Sequence, residues 1–385
     1  MSDTTRFQTF IKQFQTTQLW SDMEKCVENS PWHRESNVAE HTMMLYRFYR
    51  DNLMSSRTKR QQILTFLAMM FHDVGKPSAK VEKYREDRGN YFVFAGHEQI
   101  SARLWEDYAV GNWSYLKNLF PEINIDDIFR IGFIIENHLP FTITNQKALE
   151  KFSNAVHYTL ESDKVAYFDC LTSDQHGRIS DNQEEKLNRF NEWMEKFCNI
   201  NNNTIINNEE NINKVIYLLI GASGSGKSTY ANSIRHQYGD DNVGVFSLDT
   251  CRLDFAKNYI VDWETKNDID FYREAFALCV SKQNEFNVFA DKSFRNILDK
   301  FDYVISDNTN VSKKSRHKWT MMAHNKGFKV IGVLFPINKE KLLNRMVSRV
   351  DKKVPEEAVL RQWNQISYPR IGDDVDGVFV VSNNI

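Results

Sequence analysis

Val215-Ile-Tyr-Leu-Leu-Ile-Gly-Ala-Ser-Gly-Ser-Gly-Lys-Ser228 decides the fold of the second half of this chain. A strand-length apolar run, Val215–Ile220, leads directly into Gly221, Gly226, Lys227 and Ser228, the spacing G-x-x-x-x-G-K-[ST]. Glycines in such a loop let backbone N–H groups converge on phosphate oxygens. Lys227 would reach the β- and γ-phosphates of ATP, and the Ser228 hydroxyl would face Mg²⁺. Gly221, Ser223, Gly224, Ser225, Gly226, Lys227, Ser228 and Thr229 are therefore the expected nucleotide-binding residues.

Downstream, short apolar runs alternate with longer amphipathic ones. Strands are predicted at Val215–Ile220, Val243–Leu248, Tyr303–Ser306, Val330–Phe335 and Val378–Val381. Helices are predicted at Ser228–Tyr238, Phe271–Glu285, Lys313–Asn325, Lys339–Val347 and Glu356–Gln365. That alternation implies an α/β domain with a parallel sheet covered on both faces. Ser247-Leu-Asp249-Thr-Cys-Arg252 follows the second strand, where ligands collect in open α/β sheets. A carboxylate there can accept a proton from an attacking hydroxyl, and an arginine one turn on can clamp a phosphate. Asp307-Asn-Thr309-Asn310 ends the next strand, with Asp307 of undecided role. Arg345 and Arg349 are spaced i and i+4 on one helix, suited to neutralising a transferring phosphate. The basic run Lys313-Lys-Ser-Arg316-His-Lys318 reads either as solvated surface or as a contact to a polynucleotide backbone.

Upstream the pattern is helical nearly throughout, as in Arg60–Phe71, Ile128–Ile135, Ala148–Leu160 and Lys164–Thr172, with Gly75 a plausible helix stop. An asparagine-dominated stretch, Asn199–Asn213, has too little apolar area to pack and reads as a linker. The expected organisation is two domains: an all-α domain over 1–198, a linker over 199–213, and an α/β domain over 214–385. The helical half carries His41, His72, Asp73, His97, His138 and Asp174, with Asp163 and Asp169 as rivals to Asp174. Imidazole and carboxylate donors suit Mn, Fe, Co, Ni or Zn, and the lack of cysteine among them argues against a closed structural zinc site. His41, His72, Asp73 and Asp174 would hold one ion. His97 and His138 would permit a second, with Asp73 bridging. Lys76 is either a charge offered to substrate phosphate or a loop lysine, and His33, His157 and His176 are ordinary polar residues.

At 385 residues, with 41% hydrophobic and 26% charged content, the chain has the composition of a globular protein. A net charge of −2 announces no global nucleic-acid-binding field. Five scattered cysteines without a C-x-x-C argue for reduced thiols. No apolar run approaches the roughly 18 residues of a membrane span. The opening Met1-Ser-Asp-Thr-Thr-Arg lacks the layout of a secretory signal, so a cytoplasmic location and no membrane partner are expected.

Two resemblances add to this. Glu40-His41-Thr42, Phe71-His-Asp-Val-Gly-Lys-Pro77, Phe94-Ala-Gly-His-Glu98, Asn137-His138 and Ser173-Asp-Gln-His-Gly-Arg178 resemble, in order, the HD phosphohydrolase superfamily. The phosphate loop, D-x-x-R at Asp249, S-D-x-T-N at Ser306 and R-x-x-x-R at Arg345 followed by Val354-Pro355 are similar to 5′-hydroxyl polynucleotide kinases of the end-healing type. Together they look like the bifunctional HD-Pnk enzymes. The resemblance implies Asp249 as general base, Arg252 as clamp on the acceptor's 3′-phosphate, Arg345 and Arg349 as lid contacts to ATP, and Asp73 as central metal ligand. It implies phosphorylation of a 5′-hydroxyl by ATP and Mg²⁺. It also implies removal of a 2′,3′-cyclic phosphate or terminal 2′- or 3′-phosphate by one or two transition-metal ions. The implied partners are RNA or DNA ends, tRNA among them, and a separate RNA ligase, since nothing here resembles a ligase lysine motif. Two alternatives stay open: kinase and phosphohydrolase activities on small nucleotides or nucleosides, and an NTP-dependent regulatory protein with an inactive HD domain.

Overall fold

The computed structural model describes residues 3–28, 35–87, 89–200, 214–348 and 354–382. They fall into two compact units, the first made of residues 3–200 with Arg370–Asp373 and the second of the remainder. His33, Arg349 and nearly all of the asparagine-rich stretch lie outside the described residues.

The first unit is almost entirely helical. Its central helix, Lys59–Phe71, starts in a capping box: Thr58 Oγ1 accepts the Gln61 amide, and the Gln61 side chain accepts the Thr58 amide. Every residue from Ile63 to Phe71 is buried, so the helix is enclosed on all sides rather than along one stripe. Helices Val38–Asn52, Asp126–Glu136 and Lys164–His176 pack against it, as does His97–Gly111. Ahead of these, Asp3–Phe14 and Gln18–Lys25 add Phe7, Phe10, Phe14 and Trp20 to the same core. Phe7 stands 4.6 Å from Phe66 and Phe14 4.8 Å from Phe71, centroid to centroid. One antiparallel hairpin, β1 (Val81–Arg85) with β2 (Gly89–Val93), interrupts the helices. The sequence reading missed it because Val81-Glu-Lys-Tyr-Arg85 is charged and wholly exposed, without the buried alternation that marks a strand.

Two glycines set how these helices approach. An added Cβ at Gly75 would lie 2.5 Å from the His97 carbonyl oxygen and 2.7 Å from the Ser101 amide nitrogen. At Gly177 it would lie 2.7 Å from the Ser173 carbonyl oxygen and 2.8 Å from Leu45 Cα. Gly75 therefore does not act as a left-handed helix stop; its φ is −83°, and its role is close packing. It lets the turn after His72-Asp73 reach the helix that starts at His97, where the Gly75 amide donates to Ser101 Oγ at 2.9 Å.

The second unit is built on a five-stranded parallel sheet: β3 (Val215–Ile220), β4 (Val243–Phe246), β5 (Tyr303–Ser306), β6 (Lys329–Leu334) and β7 (Gly377–Val380), in the order β4-β5-β3-β6-β7. Leu219, Val243, Ile305 and Val333 pack with Ala231 of helix Lys227–Tyr238. The helix predicted over Phe271–Glu285 is in fact two, Asp268–Ser281 and Gln283–Lys300, broken at Lys282. No glycine or proline marks that break. It is tertiary: Phe271 and Ala275 pack on Ala256, while Phe294 of the second helix meets Phe246 of β4 at 4.7 Å. Among the described residues, no helix is long and apolar enough to cross a membrane.

Candidate functional site

In the first unit the six ligand candidates sit at helix ends. His72 caps the C-terminal end of Lys59–Phe71, and Asp73 follows it. His97 opens its helix, and His138 comes two residues after Asp126–Glu136. His41 lies in the first turn of Val38–Asn52 and Asp174 near the end of Lys164–His176, the pair that Gly177 brings together. All six are buried.

Asp73 is the centre. Its Oδ2 lies 3.0 Å from His72 Nε2 and 3.6 Å from His41 Nε2; its Oδ1 lies 3.0 Å from His97 Nε2 and 3.7 Å from His138 Nε2. Two groups that could hold an ion thus share this carboxylate: His41, His72 and Asp73, and Asp73, His97 and His138. Asp174 Oδ1 adjoins the first at 3.1 Å from His41 Nε2 and 4.0 Å from His72 Nε2. Its sequence rivals are engaged elsewhere, Asp163 with Arg60 and Asp169 with Arg57.

The rings are aimed by backbone. The Nδ1 atoms of His72, His97 and His138 each lie 2.7 Å from the carbonyl oxygen three residues earlier, of Met69, Phe94 and Ile135. Those contacts commit Nδ1 as donor and leave Nε2 as the electron-pair donor facing Asp73. His41 Nδ1 instead faces Glu35 Oε1 at 3.3 Å, an oxygen that also accepts the Ile179 amide at 2.7 Å. Sequence reasoning missed Glu35, and also Glu28, which pairs with the buried Lys76 at 2.6 Å. Lys76 Nζ is 2.8 Å from Asp73 Oδ2, so it is a buried neighbour of the centre and not a solvated loop lysine.

The donor set fits a divalent cation. His72 Nε2 and Asp73 Oδ1 are buried with no hydrogen-bond partner of normal geometry, although other ligand atoms crowd within about 3 Å of each. Electrostatics agree. Burial opposes the ionisation of Asp73, but His72 and Lys76 hold its carboxyl well below the usual range. Burial opposes that of Asp174 too, and Arg178 and His41 outweigh it. His41 is raised to about 9, as Asp174 and Glu35 overcome its burial. His138 is pushed down to about 3 by burial and then by His97 and His72. A buried, ionised carboxylate ringed by imidazoles is a cation site, and an ion bound there would displace the protons that Asp174 and Glu35 otherwise hold on His41.

In the second unit, the phosphate loop turns through Gly224 (φ 90°) and Gly226 (φ 100°), left-handed conformations that favour glycine. Gly221 has no room for a Cβ, which would meet Ser225 Oγ at 2.5 Å. Lys227 Nζ donates to the carbonyls of Gly221 at 2.9 Å and Ala222 at 2.8 Å, while Ser228 and Thr229 are exposed. The Ser223 amide donates to Gln362 Oε1 at 2.9 Å, a contact no motif announced. Arg345 Nη1 reaches the Gly224 carbonyl at 3.4 Å, so this arginine does border the loop. Arg349 lies outside the described residues.

Asp249 and Arg252 stand on helix Leu248–Ala256, immediately after β4. Arg252 Nη1 donates to Asp249 Oδ1 at 2.6 Å. Asn308 and Asn310 join the strand ends: Asn308 Oδ1 accepts the Leu248 amide at 2.8 Å, and Asn310 Nδ2 donates to the Leu219 carbonyl at 3.0 Å. The Asp307 amide donates to the Phe246 carbonyl, which continues the sheet. These asparagines hold the loops after β3, β4 and β5 at one sheet edge. The basic run divides: Arg316 is fully buried, bound to Asp374 and to the carbonyls of Asn310, Val311 and Ser367. Arg316 is thus a structural ion pair and does not serve as a polynucleotide contact.

Residues 216–368 match the family model described as AAA domain. No curated protein matches the chain. The protein joins a helical unit holding two His/Asp clusters to an α/β domain with a phosphate loop, consistent with metal-dependent and ATP-dependent catalysis.

Proposed function

We propose that the chain heals broken polynucleotide ends as an HD-type phosphohydrolase joined to a 5′-hydroxyl kinase. One observation carries the reading. A buried carboxylate with two histidine sets and an Asp249–Arg252 pair at the edge of a phosphate-loop sheet occur in one polypeptide.

In the kinase half, Asp249 accepts the proton of the 5′-hydroxyl as its oxygen bonds the γ-phosphorus and the bond to the bridging oxygen breaks, releasing ADP. Arg252 holds the acceptor's 3′-phosphate, Lys227 and Arg345 neutralise the transferring group, and Arg349 is assigned the same task from its spacing. Ser228 would hold Mg²⁺.

In the hydrolase half, His41, His72, Asp73, His97, His138 and Asp174 would hold one or two ions such as Mn, Fe, Co, Ni or Zn. Such an ion lowers the pKa of its water and screens phosphoryl oxygens. Lys76, itself paired with Glu28, keeps Asp73 ionised and in place. The substrates would be RNA or DNA ends in the cytoplasm, tRNA included, with sealing left to a separate ligase.

The test is an RNA bearing a 5′-hydroxyl and a 2′,3′-cyclic phosphate, incubated with ATP and a panel of divalent ions. The expected products carry a 5′-phosphate and a free 3′ end. Nucleosides outcompeting the oligonucleotide would redirect the reading to small substrates, and no turnover with any ion would sink it.

A further inference from the structure

Helix Asp268–Ser281 carries no recognisable motif, yet it touches both proposed acceptor-side groups. The Tyr272 hydroxyl donates to Asp249 Oδ1 at 2.7 Å, the same oxygen that receives Arg252 Nη1 at 2.6 Å. One turn on, the Phe276 ring lies 5.5 Å from the Arg252 guanidinium carbon, and Phe286 of the next helix lies 5.8 Å from it. Phe276 is 48% exposed, so its ring borders solvent beside Arg252.

We propose that this helix is the positioning element for the acceptor side of the kinase site, with Tyr272 orienting Asp249 and Phe276 seating Arg252. The inference rests on the kinase reading. A carboxylate that is 44% exposed turns about its terminal torsion unless something stops it. Two donors converging on one oxygen stop it, and aim the group before substrate arrives. Burial, and then the Asp249 charge, raise the Tyr272 phenol, so it remains a donor. An arginine held over aromatic rings by its cation keeps its N–H groups for a phosphate. Neither residue is assigned to touch the reacting atoms.

The experiment is steady-state phosphorylation of two acceptors, a 5′-hydroxyl oligonucleotide and a nucleoside without a 3′-phosphate. Tyr272→Phe should lower kcat about tenfold on both, with KM for acceptor and ATP unchanged, as one charge-assisted hydrogen bond is lost. Phe276→Ala should raise KM for the oligonucleotide about tenfold, leaving kcat and the nucleoside KM unchanged, with Phe276→Trp restoring the loss. A purely structural role would lower the melting temperature without that division between kcat and KM. Asp249→Ala is assayed beside them. An active Asp249→Ala protein would defeat the kinase reading itself. An inactive one, with Tyr272→Phe and Phe276→Ala both at wild-type kcat and KM, would overturn this proposal alone.

Discussion

His97 Nε2 and His138 Nε2 face each other across 3.4 Å. Each ring has its Nδ1 against a carbonyl, so both Nε2 atoms point into the same space beside Asp73 Oδ1. A cation there would take all three atoms as ligands. His138→Ala should therefore lose the ion on this side of Asp73, read as lower metal content per chain by elemental analysis after equilibrium dialysis. Unchanged stoichiometry would place no ion on this side of Asp73.

The two reactions should separate by mutation. Asp249→Asn should lower 5′-phosphorylation by at least about a hundredfold and leave phosphoester hydrolysis intact, while Asp73→Asn should do the reverse. Parallel assays of both variants decide it; a folded variant losing both activities contradicts independent sites.

Lys227→Ala should abolish phosphate transfer from ATP without changing metal content in the helical unit. Its ammonium donates to the loop carbonyls of Gly221 and Ala222, and circular dichroism of the variant checks that the α/β unit stays folded. Normal transfer by this variant would remove the loop as the ATP site.

Glu35 tests the outer partners of the centre. Glu35→Gln weakens the acceptor that orients His41, and metal affinity should fall roughly 10–100-fold. A competition titration against a chelator measures it, with unaltered affinity as the contrary result.

Arg316 and Asp374 make a stability prediction. Both are fully or almost fully buried, and Asp374→Ala leaves the guanidinium without its counter-charge, costing about 3–5 kcal/mol. Arg316→Met with Asp374→Ala should lose less than Asp374→Ala alone in urea unfolding followed by a probe in the α/β unit.

The parts legible in sequence were those whose chemistry is local. The phosphate loop declares itself because strand, glycines and lysine are contiguous, and β3 to β7 fall within two residues of their predicted bounds. His72-Asp73 is legible for the same reason. Glu35, Glu28, Tyr272, Phe276 and Gln362 were not, since each acquires its role only when a distant helix or loop is folded against it. The buried stripe Phe7, Phe10, Phe14 had helical spacing and could have been read as core. Lys282 carries no breaker, and Arg316 looks like its exposed basic neighbours until the chain is closed around it.

The carbonyl behind each of three imidazoles belongs to a residue three positions upstream. Their aim is thus written into four-residue stretches of main chain and does not wait for an ion to impose it. Exchange of one ion for another would ask no re-aiming of these three rings. Which ion such a site would carry is then left to supply and to the intrinsic preference of nitrogen and oxygen donors.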